Sequence, residues 1–179
     1  MERVTQAEID EMRSCGYDRT VVAKAEALLG VCAVADILAE RVSVAFQGVT
    51  LGNGIGLRES FGIDSYRERL QELRESDEKL DWRRISVELL NECYSAPFFF
   101  DAEGMRFHLP AYLIAELRGE LRQDFMNLLI INSFGDTSFI ELLTPPQRHT
   151  VIACISLCGL IERDRYNSKD MSEAIRRYS

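Results

Sequence analysis

The sequence predicts a mainly α fold, a single helical bundle packed on one small two-stranded β-hairpin. Three observations carry this reading. Apolar residues recur at helical spacing along most of the chain. Helix-start signatures stand at Thr5-x-x-Glu8 and at Thr144-Pro145-Pro146-Gln147. One stretch between Pro97 and Leu109 alternates around a glycine instead.

In chain order, the Thr5 and Glu8 capping box opens a first helix that ends near Cys15-Gly16, and a second helix spans about Arg19 to Leu29. Val34, Ile37, Leu38, Val42, Ala45 and Phe46 then give an amphipathic helix one buried side, opposite Asp36, Glu40, Ser43 and Gln47. A loop with four glycines, Gly48 to Gly56, interrupts the pattern. Asp64 to Glu78 reads as a surface helix, because only Tyr66, Leu70 and Leu73 form an apolar stripe among charges. Trp82, Ile85 and Leu89 restart helical spacing, with Trp82 as a core anchor.

Phe98-Phe99-Phe100, Asp101 to Gly104 and Met105 to Leu109 read as a hairpin near 97–109, with Gly104 supplying the positive φ of its turn. Alternation sends Met105, Phe107 and Leu109 to one face, and Arg106 and His108 to the other. Pro110 suits the first turn of a following helix that carries Leu113, Leu117 and Leu121 inward. Phe125 to Phe134 fits either period, and its flanks favour helix. The last long helix runs to about Glu162. Its segment Val151 to Ile161 is apolar on nearly every side, as at a bundle centre or at a surface buried by a partner. Residues 1–162 thus form one domain, and 163–179 a loose or short-helical tail capped by Ser168.

Composition bounds the function. At 46% hydrophobic and 28% charged, the chain has the apolar content of a globular protein. A net charge of -8 disfavours nucleic acid as a partner, since phosphate neutralisation needs a clustered basic surface; it favours encounter with a basic protein. Five cysteines without close pairing fit reduced thiols in a cytoplasm, and no apolar run reaches the roughly 20 residues of a spanning helix. No membrane contact and no cofactor are expected.

No catalytic motif is recognisable. The glycine loop follows a helix and lacks Gly-Lys-Ser/Thr, so a connecting loop is preferred to a phosphate cradle. His149 and Cys154 lie about 140° apart around a helix, which argues against a metal site with Cys158. One cluster remains: Arg106 and His108, with Asp101 and Glu103, could place a general acid or base beside an anion-binding arginine.

Asp81-Trp82-x-x-Ile85, followed by Phe99-Phe100-Asp101-x-x-Gly104-x-Arg106-Phe107-x-Leu109-Pro110-Ala111-Tyr112-Leu113, resembles the signature stretch of an uncharacterised bacterial domain family. The resemblance extends from Ala45-Phe46 to the Leu143-Thr144-x-x-Gln147 helix start and leaves out the helices before about Leu29. It implies no established reaction or catalytic residues; families of this kind are often found in toxin-immunity systems, which is an analogy only.

The resulting expectation is a protein-binding module, an immunity or adaptor protein that occludes a basic partner through an acidic surface, with Arg106 and His108 as its binding residues. A homo-oligomer through 151–161 is a further possibility. The alternative is a small hydrolase or transferase using His108, Arg106, Asp101 and Glu103.

Overall fold

Residues 1–65, 68–161 and 166–179 are described by a computed structural model, and among them there is no strand. The elements are α1 (Gln6–Ser14), α2 (Arg19–Ala45), α3 (Leu57–Asp64), α4 (Leu70–Ser76), α5 (Val87–Glu92), α6 (Ala102–Leu117), α7 (Phe125–Ile131), α8 (Pro145–Ile161) and α9 (Ser168–Tyr178). Short 3-10 turns lie at Trp82–Arg84, Ala96–Phe98 and Ser138–Leu142.

The hairpin does not exist. Asp101 accepts the Gly104 N–H at 2.8 Å and so caps α6, which runs straight through the stretch read as turn and second strand. Gly104 has no left-handed φ. Pro110, expected in the first turn, sits inside α6, where its missing N–H deprives the Arg106 carbonyl of its usual partner. The misreading has a physical cause: twelve of the sixteen residues of α6 are buried, so the helix has almost no polar face to display a 3.6-residue period.

Around α6 pack α2, α5, α7, α8 and the turns at Trp82–Arg84 and Ser138–Leu142. α2 is one 27-residue helix, where two were expected. Its core stripe is Leu38, Val42 and Phe46, whereas Val34 and Ile37, assigned to the same buried side, are exposed. Trp82 is buried as expected, and its indole N–H donates to the Phe46 carbonyl at 2.9 Å, tying the turn to the end of α2. Gln147 does the same for α8: it accepts the Thr144 N–H at 3.0 Å and donates to the Ala45 carbonyl at 3.2 Å.

α8 lies against α2 on one side and α9 on another, and its Val151, Cys154, Ile155, Leu157 and Cys158 are buried within the chain itself. α9 is capped by Asn167 in place of Ser168, buries Ala174 and Tyr178, and sends Arg177 to the Leu129 and Ile130 carbonyls at the end of α7. The expected surface helix shrinks to α4, whose Leu70 and Leu73 cover Gly62 of α3; Tyr66 lies outside the described residues, as do the first residues of the expected tail. The Thr5–Glu8 capping box of α1 is formed as read.

The glycine loop packs directly on the start of α6. A Cβ on Gly54 would meet the Gly104 nitrogen at 2.5 Å, and one on Gly104 would overlap the Ile55 carbonyl oxygen. Gly104→Ala should therefore reverse the usual gain of a helical Gly→Ala exchange and lower stability by roughly 1–3 kcal/mol. Urea denaturation of the two proteins measures it, and a more stable variant would contradict the packing.

Candidate functional site

The four residues singled out in the sequence occupy the first two turns of α6, but they do not converge. The carboxylates turn toward the glycine loop. One oxygen of Asp101 accepts both the Gly104 N–H and, at 2.9 Å, the Ile55 N–H; Glu103 accepts the Asn53 N–H at 3.0 Å. Gly54 N–H donates to the Leu51 carbonyl, Gly56 N–H to Glu59, and Leu51 N–H to the Lys79 carbonyl. The N–H groups that an anion would need are thus held by groups of the chain, three of them by its own carboxylates. Asp77 completes the loop by accepting from the Arg58 and Glu59 N–H groups at the start of α3; burial pushes its carboxyl above the usual range.

His108 points into the core, 1% exposed. Its ring stacks on Phe100, with centroids 4.4 Å apart and planes 8° apart. Nδ1 lies 2.7 Å from the Gly104 carbonyl, which can only accept, so Nδ1 carries the proton when the ring is neutral. Burial pulls its pKa down to about 4, against smaller opposing effects of the Gly104 carbonyl and Asp101. Arg106 is half-buried, with its Nε enclosed and without a hydrogen-bond partner among the described residues. Two residues apart on a helix, Arg106 and His108 project about 200° from each other, where a strand would have put them on one face. An enclosed imidazole stacked on a phenyl ring is out of reach of a substrate arriving from solvent.

Cys154 and Cys158 are buried, and desolvation pushes the Cys154 thiol well above its ordinary pKa, away from the reactive thiolate. His149 is exposed, away from both. Among the described residues, no three His, Cys, Asp or Glu side chains come together to hold a metal ion. Glu116 is a buried structural carboxylate. It accepts from the Phe125 N–H and from the Met1 ammonium, each at 3.1 Å, and desolvation outweighs that ammonium and raises its pKa.

What remains open to a partner is surface. α5 ends at Glu92 with Cys93 as its C-cap, and the turn Ala96–Phe98 follows at once, so Tyr94 and Phe98 are turned outward, 61% and 40% exposed. Phe61 of α3 meets Tyr94 edge-on at 6.0 Å. Asp64, fixed by the Ser95 hydroxyl at 2.7 Å, and the exposed Glu92 supply negative charge on the same segments. Sequence reading missed this patch because it assigned Phe98-Phe99-Phe100 to a strand. In fact exposure falls along the triplet, from Phe98 at the surface to the buried Phe100.

The burial of His108 fixes a pH dependence. Its folded pKa lies below the ordinary value of 6.5, so the unfolded chain takes up the proton first; the stability it contributes is complete above pH 6.5 and is lost as pH falls toward 4. The loss amounts to about 3 kcal/mol between pH 7 and pH 4. His108→Phe keeps a ring against Phe100 and removes the titration. Unfolding free energies of both proteins across that range should diverge by this amount, and parallel curves would refute the assignment.

Comparison with curated proteins finds no match, and comparison with solved structures finds none. A family model matches residues 34–178, starting within α2 and reaching the end of α9, so that the whole of α6, the glycine loop and the aromatic patch fall inside it. The chain belongs to the family of unknown function designated DUF6714.

Proposed function

We propose that this protein is a protein-binding module of the bacterial cytoplasm, an immunity or adaptor protein that occludes a basic partner. The observation that carries the reading is the outward-facing Tyr94 and Phe98, with Asp64 and Glu92 on the adjoining segments. Exposed aromatic side chains bring large contact area at low entropic cost and are enriched where binding energy concentrates. Flanking carboxylates, within a chain of net charge -8, steer a basic surface toward them. No helix among the described residues is long and apolar enough to cross a membrane.

This moves the binding residues from Arg106 and His108 to Tyr94 and Phe98. The hydrolase or transferase alternative loses support for the same reason, since His108 is enclosed and Asp101 and Glu103 are committed to the loop.

The test is affinity purification of the tagged protein from its host, beside a Tyr94→Ala/Phe98→Ala double variant, with captured proteins identified by mass spectrometry. The expected result is a stoichiometric basic protein that binds the purified chain directly, is weakened at least about 30-fold by the double variant, and dissociates more readily in salt. Equal binding by the variant, or a partner-free protein that turns over a small molecule, would overturn the proposal.

A further inference from the structure

The 27 residues of α2 carry two stripes, and only one of them is used inside the chain. The second begins with Ala23, Ala27 and Gly30 and continues with Val34, Ile37 and Val44, with Arg41 between the last two; all of these residues are exposed. Successive spacings alternate between four and three residues, the 3.5-residue repeat that keeps a seam facing a partner helix. At 1.5 Å per residue the seam is about 32 Å long. At its C-terminal end it widens into an apolar groove of about 520 Å³, where Ile37 and Val44 are joined by Ala45 and by Pro146 of α8.

Gly30 stands out in this stripe. It is interior to the helix, where glycine costs about 1 kcal/mol relative to alanine, and a Cβ there would meet no atom within 4 Å. Nothing in the single chain requires it. Its neighbours on the seam, Ala23 and Ala27, are small as well, while the other half of the seam is bulky.

We infer that α2 is a self-association surface, on which a second copy of this chain packs its own α2 antiparallel about a two-fold axis near Val34. This pairing sets the bulky half of each seam on the small half of the other: Ile37 fills the space over Gly30, Val44 lies over Ala23, and Val34 meets its own symmetry mate. It also complements charge. Arg41, the one charged member of the seam, comes beside Glu26 of the second copy. Glu26 is held in position by Arg13 of its own α1 at 2.5 Å. A parallel pairing would instead stack Arg41 on Arg41 and leave the Gly30 level empty, which selects the antiparallel form. The surface uses neither Tyr94 nor Phe98, so it stands independently of the partner-binding reading.

Light scattering and sedimentation velocity on the full chain, from micromolar to submillimolar concentration, should show conversion from 20.4 kDa to twice that mass. Ile37→Asp, exposed in the monomer, should keep the helical circular dichroism spectrum and weaken association roughly 100-fold. Gly30→Leu should raise the melting temperature of the monomer while blocking the dimer, a combination that a merely structural role does not produce. Arg41→Glu should weaken association, and adding Glu26→Arg should restore it. In a Cys15→Ser background, mixing Gly30→Cys with Ile37→Cys should yield the mixed disulfide dimer in preference to either homodimer. A chain that stays monomeric at every concentration overturns the inference, as does a dimer indifferent to Ile37→Asp and Gly30→Leu. Preferential Gly30→Cys homodimers would overturn the antiparallel geometry.

Discussion

The fold turns on one carboxylate oxygen. Oδ1 of Asp101 accepts from Gly104, three residues ahead in α6, and from Ile55, in a loop nearly fifty residues earlier. Each is a charge-assisted bond to a backbone N–H, worth roughly 1.5–3 kcal/mol. The first starts α6 and the second clamps the glycine loop over that start. Side chains at Gly54 or Gly104 would force the two backbones apart, so the hydrogen bonds and the two glycines form one device. Everything around α6 depends on it, because the direction in which this helix enters the core sets where α2, α7 and α8 can pack.

The same device accounts for how the residues with the most chemical character are held. A glycine loop with inward-directed N–H groups is an anion trap, and here the bound anions are Asp101, Glu103 and Glu59. His108, one turn further along, is kept neutral by desolvation and lies flat on Phe100, acting as an aromatic core residue with one polar bond. Packing thus accounts for the carboxylates and the imidazole, while Arg106 keeps an enclosed Nε without a hydrogen-bond partner among the described residues. The features left over are on the outside, in the aromatic pair after α5 and the second stripe of α2.

α2 shows how a long helix serves two interfaces. Leu38, Val42 and Phe46 pack on α6 and α8, while the exposed stripe follows a slightly shorter repeat along another face. Their overlap in sequence made Val34 and Ile37 look like core residues, since both stripes satisfy helical spacing near the middle of the helix. Burial assigns each residue to one stripe, and burial depends on which other helices arrive.

By itself the sequence determined the local events. The Thr5–Glu8 box, the Pro145 start with its Gln147, the burial of Trp82, the helical state of 125–131 and the overwhelmingly helical character of the chain follow from caps, breakers and periodicity that act within a turn or two. Tertiary structure alone decided α6. A helix enclosed on nearly all sides carries no amphipathic signature, so Met105, Phe107 and Leu109 could pass for alternation in a strand, and Gly104 for a turn residue. The reason for that glycine is the backbone of Ile55 lying against it, a contact between residues far apart in the chain, to which no local pattern corresponds.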